Sequence, residues 1–286
     1  DEESTMNIIG LGSAGCRISE CLSKHEAYNV FQIDVSDNNY CNFLQIEQQD
    51  SHELYEKKYK NLNLKLSGEA TLVLAGGGKI TGAVLRILEQ LNSNKINILY
   101  VKPRMSDASE EQKIHHKIVN QVLQEMTRSG LINEFMLIDN EKVEGLVSPT
   151  ITDYWGPINQ LIADTYHMVN VFRNTEPLLR SKNKIPTTSR ITTLSLLDFE
   201  NSKEEMLYDL DKPRARNYYF ALSEDYIKKN KDLLAEVRGF ISSRQDNCDC
   251  AYAIYQTGYE QNYSYGYHYA TLIQEQDKNI FTSEDE

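Results

Sequence analysis

Short apolar runs alternate with amphipathic stretches through the first half of the chain. Residues 6–9, 29–34, 71–75, 96–101 and 135–138 read as strands, each an apolar run bounded by glycine or polar clusters. Between them lie helical patterns at 14–23, around 51–60, and after Gly82, where Val84, Ile87, Leu88 and Leu91 recur on one helical face. Ser109-Glu110-Glu111-Gln112 has the form of a capping box. It precedes a long helix whose predicted apolar face carries Ile114, Ile118, Val122 and Met126. Residues 153–174 form a further long helical pattern. Strands alternating with helices predict an α/β fold: a parallel sheet with helices on both faces.

The pattern changes after Leu179. Residues 180–190 are polar and basic, followed by strands at 191–197 and 217–222, a helix at 224–240 and two tyrosine-rich strands ending near 273. This predicts a smaller α+β unit. Tyr263, Tyr265, Tyr267 and Tyr269 alternate as one strand face does, and an aromatic recognition surface is the other reading of Tyr252, Tyr255 and Tyr259 beside them. The divisions are therefore 1–152, a connecting helix at 153–180, a second unit at 181–278, and an acidic tail at 279–286.

A formal net charge of −12 argues against generic binding to nucleic acid or an anionic membrane. No apolar run is long enough for a membrane-spanning helix. The 5 cysteines lack a C-x-x-C spacing, so reduced thiols in a cytoplasm are expected and no metal site is.

Two glycine-rich turns carry the candidate chemistry, each ending a strand pattern and opening a helical one. The first is Gly10-Leu11-Gly12-Ser13-Ala14-Gly15; the second is Gly76-Gly77-Gly78-Lys79-Ile80-Thr81-Gly82. Such turns let backbone N–H groups approach phosphates at helix N-termini, where the dipole favours negative charge. Two of them suggest one nucleotide held from both sides. The first turn together with Asp34, at the end of the second strand, also fits a dinucleotide-binding fingerprint and hence an NAD(P)-dependent oxidoreductase.

The second turn resembles the G-G-G-T-G-T-G-[AS] signature of the tubulin/FtsZ superfamily, departing at Lys79 and Ile80. Other segments follow in family order. Gly12 to Ile18 is similar to the first phosphate loop, and Gln32-Ile33-Asp34 to the second. Lys102-Pro103 and Ile138-Asp139-Asn140 resemble strand ends, and Asp153 to Asn159 resembles the start of the long central helix. The resemblance spans about residues 6–205.

It implies a Rossmann-type nucleotide-binding domain, a central helix and a reduced second domain, with GTP or GDP as ligand and Mg2+ as a candidate companion ion. Gly12, Ser13, Ala14, Gly15, Cys16, Asp34, Gly76, Gly77, Gly78, Lys79, Thr81 and Gly82 would surround the phosphates; Trp155 would stack on the base and Asn159 would read its guanine edge. The implied assembly is a cytoskeletal filament of head-to-tail copies, each completing its neighbour's hydrolytic site through acids after the central helix. Here Leu196 to Asn201 is matched to that loop, leaving Asp198 and Glu200 as the catalytic candidates. An asparagine at 201 in place of the second acid weakens hydrolysis. Lys79 either neutralises phosphate or pairs with Asp34. These departures suit a phage or plasmid relative, or a pseudo-GTPase used as an assembly module.

Overall fold

The computed structural model describes residues 5–36, 42–64, 66–91 and 95–274. The acidic tail and Cys41 lie outside the described residues. Six parallel strands make the first half: β1 (Met6–Leu11), β2 (Tyr28–Asp34), β3 (Phe43–Gln45), β4 (Ala70–Ala75), β5 (Ile96–Lys102) and β6 (Glu134–Asp139), in the order β3-β2-β1-β4-β5-β6. The helices are α1 (Gly12–Leu22), α2 (His52–Lys58), α3 (Val84–Gln90), α4 (Glu110–Ser129), α5 (Asn140–Val147) and α6 (Trp155–Arg173).

Strand alternation sorts the core onto two faces. Ile8, Val73, Leu99, Val101, Met136 and Ile138 pack against Ile18 and Leu22 of α1, Val143 of α5, and Ile158 and Ile162 of α6. Their neighbours Ile9, Leu72, Leu74, Ile98, Tyr100, Phe135 and Leu137 pack against Tyr55 of α2, Val84 and Ile87 of α3, and Val119 and Leu123 of α4. Both faces are covered, as the continuous apolar runs predicted.

The second half continues the same 12-stranded sheet. Its strands are β7 (Leu179–Arg180), β8 (Ile191–Asp198), β9 (Lys203–Met206), β10 (Ala215–Ser223), β11 (Asp249–Thr257) and β12 (Tyr263–Ala270). The order runs on from β6 as β8-β12-β10-β11-β7, with β9 on β8. Only Phe135↔Ile191 and Met136↔Thr192 pair β6 with β8. Beyond them Leu207 bridges the gap, donating its N–H to Leu194 O and accepting from Asp139 N.

Tyr265, Tyr267 and Tyr269 share the buried face that joins Val169 and Phe172 of α6, so the tyrosine alternation is a strand face packed on the central helix. The Tyr255 hydroxyl donates to Phe172 O at 2.6 Å. The predicted helix at 224–240 is two helices, α7 (Glu224–Lys229) and α8 (Leu233–Ser242), broken where Asp232 N donates to Asn230 Oδ1 at 3.1 Å. Cys248 and Cys250 are buried together against α8, with Tyr218 and Phe240.

The capping box at Ser109 is present, but the predicted stripe of α4 turns inward only in its second half, where Val122 is half-buried and Met126 packs on the core. Ile114 and Ile118 are 56% and 48% exposed, while His115, His116, Val119, Asn120, Leu123 and Gln124 are buried. Apolar periodicity misplaced the first half of the face because the buried polar residues there have partners inside. Tyr100 meets His116, Gly77 meets His115, and Gln124 bonds Gln274.

Candidate functional site

The carboxyl ends of β1, β2, β4, β5 and β6 meet at one pole, where two adjoining clefts open. One, of about 360 Å³, is lined by Gly12, Ser13, Ala14, Asp34, Gly76, Gly78 and Lys79. The other, of about 490 Å³, is lined by Ser13, Ala14, Gly76, Arg104, Trp155 and Asn159 among others. Ser13, Ala14, Ala75 and Gly76 wall both, so the two form one trough between the glycine turns and the start of α6.

The first turn is built by Gly12, whose φ of +71° suits glycine alone among residues at this bend. The helix it opens has no side-chain cap, since Leu11 stands at the N-cap. The 3₁₀ turn Lys79–Ala83 and α6 also start without one. In the second half α8 starts without one too, while α2, α4, α5 and α7 are capped by Ser51, Ser109, Asp139 and Ser223. At Gly12 and Lys79 the uncapped starts leave first-turn N–H groups in want of an acceptor beside the trough, whereas at α6 Gly156 N donates to Asp153 Oδ1 at 3.1 Å.

Several expected residues lie behind the trough rather than on it. Gly15 packs α1 onto Val73 O, and Gly82 packs its turn onto His52 O. The Cys16 thiol is fully buried and donates to Gly10 O and Ile33 O, both at 3.6 Å; burial, with the Asp34 charge, pushes its pKa up to about 12. It stays a neutral thiol facing inward. Thr81 is 2% exposed and donates its hydroxyl to Gly78 O at 2.6 Å. Gly77, with φ +95°, sits against Gln112 of α4.

Asp34 does line the trough, although its carboxylate accepts from Ser13 Oγ at 3.1 Å and from Val35 N at 2.8 Å. Lys79 pairs with Glu111 at 3.4 Å rather than with Asp34. At the far end Trp155 is 46% exposed and stands edge-on to Tyr154, ring centroids 4.9 Å apart. Asn159, one helical turn on, is 6% exposed and lines the second cleft beside Trp155.

Sequence reasoning did not single out Arg104, which holds this wall together. Its guanidinium bonds both Glu144 oxygens at 3.1 and 3.2 Å and the Tyr154 hydroxyl at 3.4 Å. Arg17, Gln48, Gln49 and Asn140 also reach the trough. Gln48 and Gln49 come from a segment with no periodicity, which gave no signal.

Asp198 and Glu200 are not on the loop after α6. That loop begins at Asn174, and its carboxylate is Glu176. Asp198 ends β8, where it accepts from Asn201 N at 3.1 Å and Asn201 Nδ2 at 2.7 Å. Because β8 runs parallel to β6, Asp198 points toward the pole that holds the trough. The nineteen residues of α6 span about 28 Å and carry the chain to the opposite pole. There Glu69, Lys95, Asn97, Glu134, Arg173 and Asn174 line a polar cavity of about 190 Å³. Among the described residues no helix is long and apolar enough to cross a membrane.

No family model matches the sequence, and no curated protein matches it. Solved structures do match in fold. A GTPγS-form protofilament of TubZ from Bacillus thuringiensis serovar israelensis aligns with TM-score 0.68 at 12% identity, over 94% of this chain and 87% of that one. CetZ from Methanosaeta thermophila aligns with TM-score 0.68 at 14% identity, over 93% and 86%. An empty FtsZ dimer from M. jannaschii aligns with TM-score 0.65 at 12% identity, over 93% and 88%. From β1 to β12, then, the chain has the fold of the tubulin/FtsZ superfamily.

Proposed function

We propose that the chain is a GTP-binding, tubulin-like cytoskeletal protein that stacks head to tail into filaments with weak or absent hydrolysis. The observation that carries this reading is the trough itself. At one end the uncapped starts at Gly12 and Lys79 present backbone donors suited to phosphate; at the other a half-exposed indole lies beside the amide of Asn159. An amide side chain both donates and accepts, which fits the edge of a guanine. Gly12, Ser13, Ala14, Gly76 and Gly78 would hold the phosphates, Lys79 would offset their charge, and Trp155 and Asn159 would hold the base. Asp34, the carboxylate that lines the phosphate end and is already engaged by Ser13, would be the acid available to Mg2+.

Stacking is supported by the likeness to TubZ structures described as a protofilament and as a four-stranded filament, the latter aligning with TM-score 0.72. The opposite pole would cover the next copy's trough, an interface that does not close on itself. Glu176 is the carboxylate that follows α6 toward that pole, and it is exposed. The nearly acid-free loop also favours a second reading, a pseudo-GTPase assembly module. The oxidoreductase reading is disfavoured by Asp34, whose buried carboxylate is occupied by Ser13 and Val35 rather than presented to a ribose.

The test is binding of GTPγS against ATP and NAD by the purified chain, then sedimentation with and without nucleotide. Selective guanine binding with nucleotide-dependent pelleting is the expected result. Absence of nucleotide binding with pelleting retained would favour the assembly module, and selective NAD binding would overturn the reading.

A further inference from the structure

The second glycine turn rests on imidazoles supplied by two helices. His115 of α4 places Nδ1 3.2 Å from Gly77 O. His52 of α2 places Nε2 3.2 Å from Thr81 Oγ1. The two rings stack on each other, centroids 4.8 Å apart and planes 21° from parallel. Neither histidine lines the trough; each reaches it only through the turn.

Proton accounting fixes both tautomers. Gly77 O can only accept, so the His115 nitrogen facing it carries a hydrogen. The Thr81 hydroxyl has one hydrogen and gives it to Gly78 O at 2.6 Å, so toward His52 it accepts. His52 therefore carries its hydrogen on Nε2. For His52, burial and then the neighbouring His115 ring favour the neutral form.

We infer that His52 and His115, protonated on Nε2 and Nδ1 respectively, are positioning residues that hold residues 77–81 in the shape needed to bind nucleotide phosphates. The inference rests on the reading of the trough as a nucleotide site. The two bonds tether the turn near its start and near its end, and the stack makes each ring the other's support. Losing either donor frees a buried acceptor, Gly77 O or Thr81 Oγ1, which must then find a new partner by moving the turn.

Two measurements test it. Long-range 1H–15N correlation of the histidine side chains, assigned with single variants, is expected to show Nδ1–H for His115 and Nε2–H for His52 near neutral pH. The opposite tautomer in either ring would overturn the assignment. GTPγS binding is then compared among variants. His115→Asn and His52→Gln keep a donor near the original nitrogen and are expected to bind within about threefold of wild type; His115→Leu and His52→Leu are expected to lose about tenfold. Should the leucine variants fail to fold, the crossed pair His115→Gln and His52→Asn, with the donor displaced by one bond length, carries the same contrast. Wild-type binding with all variants equal to it would overturn the positioning role alone. No nucleotide binding by the wild type, with tautomers as assigned, would overturn the site reading and the positioning role with it.

Discussion

Ser13 Oγ donates to Asp34 Oδ2 across 3.1 Å, joining the first glycine turn to the end of β2 at the floor of the trough. The bond makes the carboxylate that lines this end of the trough a fixture of the turn. It also leaves an anion beside the place proposed for phosphates.

Asp34→Asn removes that charge while keeping an oxygen for Ser13 to bond. GTPγS affinity is expected to rise by about threefold to tenfold, since at an effective dielectric of about 20 a charge several ångströms from phosphate costs on the order of 1 kcal/mol or more. Isothermal titration at low salt measures it. A fall in affinity would mean that Asp34 contacts the ligand or its ion directly.

Asn159→Ala is expected to cut the preference for guanine over adenine nucleotide by about tenfold, the worth of one or two hydrogen bonds to a base edge. Trp155→Ala is expected to weaken both nucleotides together, because stacking does not read base identity. Competition binding with the two nucleotides separates the effects.

The face of α4 is testable by stability alone. Leu123→Ala, at 1% exposure, is expected to cost about 2–5 kcal/mol, whereas Ile118→Gln, at 48% exposure, is expected to stay within about 0.5 kcal/mol of wild type. Denaturant unfolding distinguishes these outcomes, and a large loss at Ile118 would contradict the observed face.

A buried polar knot should govern the acid limb of stability. The Glu204 carboxylate meets His268 Nε2 at 2.9 Å, Ser195 Oγ at 2.7 Å and Arg244 Nε at 3.2 Å. Burial pushes its pKa up, but the bonds from His268, Ser195 and Arg244 outweigh burial and hold it at about 2. Burial lowers the pKa of His268, against the pull of Glu204. Both groups favour the deprotonated form when folded. Their stabilisation is therefore full above the unfolded values and is lost on acidification, first below 6.5 for His268, then from 4.5 down to about 2 for Glu204. Glu204→Gln is expected to lower Tm near neutral pH and to flatten the decline below about pH 4.5. Thermal melts across that range check both halves of the statement.

Much of the first half was legible because its signals are local. Apolar runs buried on both faces are long enough to name β1, β4, β5 and β6, and Ser109 with Gln112 marks the start of α4 whatever surrounds it. The glycine turns announced the trough, and Trp155 with Asn159 sat one helical turn apart. What stayed hidden depends on partners distant in sequence. Nothing local distinguishes Thr81, whose hydroxyl turns inward to Gly78 O, from a threonine facing a ligand. Nothing near Arg104 reveals Glu144. The placement of Asp198 failed for a topological reason: order along the chain suggested a loop after the central helix, while pairing of β8 alongside β6 sets its end at the trough pole.

The two backbone rungs between β6 and β8 have a mechanical consequence. On either side of that seam the strands are clamped over most of their length, with six register pairs from β12 to β8 against two here. Under a bending load the sheet yields where it is least stitched, and α6 lies along the yielding line as a strut. A stack of such molecules would flex inside each unit as well as between units, so its compliance would be set by Leu207 and its two hydrogen bonds. Lengthening the β6–β8 pairing by design should give a stiffer polymer, measurable as a longer persistence length.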